Sequence, residues 1–116
     1  MSDQTILSHL RDHRMTEANT AEIYPLDKDL LIKAHDRLRK IENDVKACHY
    51  TVEQVEERES IIETLDDIHG LRETKLMNYA VFTDSSLQVS KLLPHEAHFY
   101  QDVAAALMTY RGAVKP

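Results

Sequence analysis

The segment "LLPHEAHFYQD", Leu92 to Asp102, holds residues that could bind a metal ion. His95 and His98 are three residues apart, so on a helix both imidazoles would lie on one face and could reach the same ion. Asp102 follows His98 by four residues and could add a carboxylate, but a fourth ligand would have to come from elsewhere. Polar residues are also ordinary at the start of a helix. We therefore predict no metal site and no cofactor.

Two other histidine patterns raise the same question. His9 and His13 are four residues apart, but the zinc-protease signature H-E-x-x-H is absent. His49 and Glu53 stand in the H-x-x-x-E spacing of hemerythrin-like di-iron carriers. That family also needs a downstream H-x-x-x-H pair and a final H-x-x-x-x-D, and neither is present. A hemerythrin-like di-iron or other metal-binding four-helix bundle stays as the alternative interpretation.

Motifs for covalent or phosphoryl chemistry are missing from the sequence. There is no glycine-rich phosphate loop and no G-x-S-x-G nucleophile motif. Ser85 and Ser86 fall in a polar break, where turn formation explains them. The many carboxylates occur in charged runs of the kind that face solvent. We therefore predict that the protein is not an enzyme.

Composition favours a single helical domain. The chain has 116 residues, two glycines and three prolines, with 29% charged and 42% hydrophobic residues. Its one cysteine, Cys48, excludes an internal disulfide, fits the cytoplasm, and is expected to be a buried small hydrophobic residue. A net charge of −6 does not favour direct DNA binding. No run of apolar residues reaches membrane-spanning length, and the N-terminal segment lacks the features of a signal peptide.

Hydrophobic periodicity predicts four helices, over about residues 3–14, 28–48, 52–82 and 95–111. Asp27 is placed as an N-cap, and Pro94 suits the first helical position because its missing N–H costs nothing there. The polar segments Met15–Pro25 and Thr83–Ser90 are predicted connections.

The clearest boundary lies in "CHYTVEQV". Thr51 and Gln54 have the spacing of a capping box, so the second helix ends and the third begins within about three residues. So short a connection requires an antiparallel helical hairpin. The predicted fold is therefore all-α, a bundle of about four to five helices with a central antiparallel helical hairpin. The apolar stripe of the second helix is Leu31, Ala34, Leu38, Ile41, Val45 and Cys48.

The second half of the third helix is apolar on more than one side, which predicts that two cores share it. Arg72 lies there, amid Ile68, Leu71 and Leu76. A buried guanidinium must be paired, because an unpaired buried charge costs several kcal/mol. We predict that its partner is a carboxylate or a row of backbone carbonyls, within the chain or across a subunit interface.

Two segments resemble the helical domain of GINS subunits, which belong to the replication-fork complex of archaea and eukaryotes. In "LDDIHGLRETKLMNYA", the GINS pattern of an Arg, a Lys three later, an apolar residue and a small-residue end is matched by Arg72, Lys75, Leu76 and Ala80. In "LLPHEAHFYQDVAAALMTYR", the archaeal pattern of a Pro, acids, an aromatic pair and a closing helix is matched by Pro94, Glu96, Phe99, Tyr100, Tyr110 and Arg111. "YPLDKDLLIKAHDRLRKI" resembles the start of an early helix in the family. His95 stands where the family has an acid, and Leu93 where it has a Ser or Thr cap.

The resemblance implies a non-catalytic scaffold of the archaeal type. Such a subunit assembles as a tetramer with itself or a paralogous GINS subunit, and joins the MCM helicase to a RecJ-like partner within a cytoplasmic, nucleoid-associated replication complex. It implies a helical A domain over residues 1–112, with 113–116 as a frayed end or the start of a linker to a β-rich domain. We assign the assembly or structural motif to Leu71, Arg72, Lys75, Leu76, Phe99, Tyr100 and Tyr110. Whether the tetramer is homomeric and which surface binds the helicase are left open.

Overall fold

The computed structural model describes residues 3–82 and 87–114. In this part of the chain lie four α-helices and one short 3-10 helix: α1 (Asp3–Ala18), α2 (Lys28–Lys46), α3 (Val52–Val81), the 3-10 helix (Val89–Lys91) and α4 (Pro94–Val114). No strand occurs there, so the all-α prediction is confirmed. Of the predicted break from Thr83 to Ser90, residues 83–86 lie outside the described residues.

The other three helices all pack on α3. The α2–α3 pair is antiparallel, since Arg37 donates to Glu57 while Asp44, further along α2, accepts from Gln54 at the start of α3. The central antiparallel hairpin is therefore confirmed. α1 and α4 contact different sides of α3, so the chain itself covers several of the apolar sides of α3. The core is formed by Ile6, Leu10, Leu26, Ala34, Ile61, Leu65, Ile68 and Leu93.

The turn between α2 and α3 has the predicted capping box. The Thr51 hydroxyl accepts from the Gln54 amide at 3.1 Å, and the Gln54 side chain accepts from the Thr51 amide at 2.9 Å. These bonds satisfy two N–H groups that the helix start would otherwise leave without partners. The predicted N-cap of α2 is also present, because the Asp27 carboxylate accepts from the Asp29 amide at 2.9 Å.

Helix α2 ends at Lys46, before the predicted end at Cys48. The His49 amide donates to the Asp44 carbonyl at 2.8 Å, and the Cys48 amide donates to the Val45 carbonyl at 3.1 Å. This is a Schellman ending, with Cys48 in the left-handed position that glycine usually takes, at φ 58°. Cys48 is exposed, so the prediction that it is buried was wrong.

Helix α1 continues to Ala18, so its predicted end at residue 14 was wrong. Glu17 extends the buried stripe of Ile6 and Leu10 by another two turns, which keeps the chain helical through part of the predicted connection. Helix α4 begins at Pro94 as predicted and continues to Val114, beyond the predicted end at residue 111. Residues 115–116 of the expected linker lie outside the described residues.

The molecule is a rod of 65 × 26 × 19 Å. Helix α4 runs in the same direction as α3, since Glu96 bonds to Arg72 near its start and Arg111 donates to the Val81 carbonyl near its end. The second half of α4 therefore reaches the end of the rod opposite the hairpin turn. No helix in the described ranges has the length and hydrophobicity to cross a membrane.

Candidate functional site

Arg72 of α3 lies at the centre of the largest polar cluster among the described residues, and its side chain has no exposed surface. Its Nε and Nη2 atoms donate to Oε2 and Oε1 of Glu96, each at 2.7 Å. This is a bidentate ion pair, the geometry in which guanidinium binds carboxylate most strongly. A second ion pair joins Nη1 to Oε2 of Glu17 at 2.8 Å.

Backbone carbonyls complete the coordination of Arg72. Nη1 also donates to the carbonyl of Tyr24, and Nη2 donates to the carbonyl of Lys91 at 3.1 Å. A guanidinium has five N–H donors, and all five are satisfied here. The prediction that Arg72 is buried and paired is confirmed, with carboxylates and carbonyls both acting as partners inside one chain.

Lys75 stands one turn after Arg72 and joins the same cluster. Its Nζ donates to Oε1 of Glu17 at 2.8 Å and to the carbonyl of Glu22 at 2.7 Å. Glu17 therefore receives one cation on each oxygen. We call Glu17, Arg72, Lys75 and Glu96 the ion-pair brace. Its two cations balance its two anions, so its net charge is zero.

The surroundings of Glu17 favour its charged form. Burial raises the pKa of this carboxyl, but His13, Lys75, the Tyr24 amide and Arg72 together hold the pKa at about 2. His13 Nε2 lies 3.6 Å from Glu17 Oε2, four residues before it on the same helix.

Glu96 is held in place from two directions. Burial raises the pKa of this carboxyl, and the Arg72 guanidinium and the Leu93 amide outweigh burial and lower it. The Leu93 amide donates to Oε1 of Glu96 at 2.9 Å, which is half of a capping box at the start of α4. The same carboxylate thus caps α4 and attaches it to α3.

The groups that bind Arg72 and Lys75 come from three segments of the chain. Glu17 comes from the last turn of α1, and the carbonyls of Glu22 and Tyr24 come from the α1–α2 connection. Glu96 comes from the first turn of α4, and the Lys91 carbonyl comes from the 3-10 helix just before it. Arg72 and Glu17 are fully buried, and their polar atoms bind one another. The arrangement is suited to fixing three segments against α3.

Sequence reasoning missed Glu17, which lies in the segment predicted as a polar connection. Its position seven residues after Leu10, on the same helical face, was the available signal. A charged residue on that face is predicted to be exposed unless its ion-pair partners are known. The partners of Glu17 lie on α3.

The other residues of the predicted motif do not lie together. Leu76 is buried and Phe99 half-buried, and both line a cavity between α3 and α4. Leu71 is half-buried on the opposite side, in a groove of about 870 Å³ between α1 and α3. Tyr100 is half-buried on α4. Tyr110 is 67% exposed in the second half of α4 and joins neither set.

The cavity between α3 and α4 brings together histidines that the sequence did not pair. His69 and His95 have ring centroids 6.1 Å apart, while His98 and Asp102 are exposed and belong to no such cluster among the described residues. Burial lowers the pKa of His69, and the neighbouring Glu96 partly offsets that effect.

The second half of α4 carries an unusual surface. Residues 103–110, "VAAALMTY", contain no charged side chain, and none of them is buried. Met108 is 72% and Tyr110 67% exposed. We call residues 103–110 the α4 apolar segment.

A comparison of the sequence with protein-family models found no match, and a comparison with curated proteins found none either.

Proposed function

We propose that the protein is a non-catalytic scaffold subunit of a GINS-like DNA replication complex. In this proposal it assembles as a tetramer, with itself or a paralogous subunit, and links the MCM helicase to a RecJ-like protein. The observation that carries the assembly part is the α4 apolar segment, eight uncharged helical residues without a buried member. Contiguous apolar surface of this kind is typical of protein–protein contact sites.

The identity of the complex is supported by the residues that resemble the GINS pattern. Three of them, Arg72, Lys75 and Glu96, belong to the ion-pair brace. An interaction that fixes three segments to a central helix explains why a domain would require those residue types at that spacing. Because the brace residues are occupied with one another, they support a structural role better than a catalytic one.

The charge of the chain favours protein partners over DNA. The net charge is −6, and a surface that displaces counterions from DNA must be positive. A subunit with an apolar helix end and an acidic remainder is suited to contacting proteins that themselves hold the DNA.

Light scattering of the purified 13.4 kDa chain tests the assembly. We expect a particle mass several times that of one chain, and four times that mass for a homotetramer. Introducing charge with Met108→Glu and Tyr110→Glu should reduce the mass to that of a monomer while helix content stays unchanged. Met15→Glu is the matched control, since Met15 is 63% exposed on α1 and should tolerate charge. A monomer at every concentration, alone and with a co-expressed paralogue, would contradict the proposal.

Assembly by itself does not identify the complex. The assembled protein is therefore mixed with a purified MCM helicase and, separately, with a RecJ-like protein. Co-elution with both in size-exclusion chromatography is the expected result. Assembly without binding to either protein would leave a self-associating helical protein of another kind.

A further inference from the structure

The structure contains a second polar cluster, located beside the brace at the first turn of α4. His69 extends from α3, and His95 and Glu96 extend from α4. One ligand atom from each of the three residues lies within 4.8 Å of the others. Both imidazoles and the carboxylate border a cavity of about 370 Å³, which Glu73, Leu76 and Phe99 also line.

We propose that His69, His95, Glu96 and Glu73 form a binding site for a divalent cation of the zinc type. Two imidazoles and two carboxylates are a donor set that Zn²⁺ accepts with tetrahedral geometry. This proposal replaces the expectation of no metal site, which considered His95 with His98 and never with His69. The helix packing supplies His69 as the second imidazole, and His98 is not needed.

The ligand atoms must move closer together to bind one metal ion. In a tetrahedral zinc site with bonds of about 2.0–2.1 Å, neighbouring ligand atoms are roughly 3.3 Å apart. The present separations of up to 4.8 Å must therefore shorten by roughly 1.5 Å for the most distant pair. His95 is exposed, so its side chain can rotate toward His69 without displacing core residues.

Glu96 is oriented before the metal arrives. It accepts Arg72 Nε on Oε2, and Arg72 Nη2 and the Leu93 amide on Oε1. A carboxylate offers about four lone-pair sites, so one on Oε2 remains for a cation. Hydrogen bonds that fix a ligating carboxylate from behind are a regular feature of protein metal sites.

The charge balance permits a cation at this place. The ion-pair brace has no net charge, because its two carboxylates balance Arg72 and Lys75. A metal ion beside Glu96 therefore does not meet an unbalanced positive charge on Arg72. Glu73 adds a negative charge on the cavity wall, one helical turn after His69 on the same face. Glu73 is exposed, and in the proposed site its side chain rotates to supply the fourth ligand.

Isothermal titration with ZnCl₂ tests the site, and Co²⁺ absorption spectra report its geometry. We expect one Zn²⁺ per chain, and a binding constant at least about tenfold weaker in His69→Ala and in His95→Ala, because each removes a direct ligand. Glu73→Gln should also weaken binding. His98→Ala is the matched control: it is exposed on the same helix, three residues from His95, and should bind Zn²⁺ as the wild type does.

The thermal midpoint supplies a second readout. Zn²⁺ should raise the midpoint of the wild type and of His98→Ala by the same amount, and raise that of His95→Ala by clearly less, since a ligand stabilises the state that binds it. His95 is exposed, so this variant folds without the metal and keeps the test valid if His69→Ala is damaged. Absence of one-to-one binding, or equal affinity in His95→Ala and His98→Ala, would overturn the proposal.

Discussion

Arg72 is the residue on which most of the polar structure depends. Replacing it with Ala leaves Glu96 buried without its cation and leaves Glu17 with Lys75 as its remaining ion-pair partner on α3. Breaking a buried pair in this way costs about 3–5 kcal/mol, a large share of the stability of a small domain. We expect Arg72→Ala to lower the denaturant midpoint strongly or to prevent folding.

Two further variants serve as comparisons for that measurement. Arg72→Lys keeps the charge but not the planar fork, so it should recover part of the loss. Arg39→Ala is the surface control, because Arg39 is 73% exposed and lies 3.8 Å from its partner Asp36. Its effect should stay within about 0.5 kcal/mol of wild type. If Arg72→Ala unfolds at the same midpoint as Arg39→Ala, the brace contributes nothing to stability.

The ionisation of Glu17 makes the free energy of unfolding depend on pH. Its pKa is about 2 in the folded protein and 4.5 when unperturbed, so the folded state favours the carboxylate. The stabilisation is complete above pH 4.5 and is lost as the pH falls toward 2, on the order of 3 kcal/mol in total. In urea titrations across this range, Glu17→Gln should show a weaker pH dependence than wild type. Glu59→Gln, an exposed acid on α3, should keep the wild-type slope.

At the scale of the helices, local sequence signals predicted the starts better than the ends. Asp27, Thr51 and Pro94 mark helix starts through chemistry that one side chain supplies. The end of α2 depends on Cys48 taking a left-handed conformation, for which a non-glycine residue gives no sequence signal. The end of α1 depends on Glu17 meeting Arg72, a contact between segments that only the folded chain creates.

The capping box at Thr51 is the local interaction that fixes the hairpin turn. Thr51→Ala removes the hydroxyl acceptor of the Gln54 amide and should cost about 1 kcal/mol. Thr51→Ser retains that acceptor and serves as the control. Chemical denaturation measures both variants, and equal midpoints for Thr51→Ala and wild type would show that solvent satisfies the amide equally well.

The elongated shape of the whole molecule explains why apolar residues of α4 remain exposed. Its radius of gyration is 17.9 Å, against roughly 13 Å for a compact domain of this length. A long thin rod has little interior, so the second half of α4 has too few neighbours to be buried. The sequence shows the apolar residues of α4, but it does not show which of them other helices of the chain cover. For the same reason the sequence did not predict the contact between His69 and His95, since that contact depends on how α4 packs on α3.

The position of Arg72 along the chain has a kinetic consequence. Its carboxylate partners lie 55 residues before it and 24 residues after it. Hydrogen bonds within the protein replace the lost hydration of the guanidinium only when segments from both directions have arrived. The α2–α3 hairpin can form from contacts close in sequence, and the brace must close after it. Interactions that form late leave the folding rate nearly unchanged and control the rate of unfolding. The ion-pair brace therefore slows unfolding. It affects the lifetime of the folded state more than it affects the rate of folding.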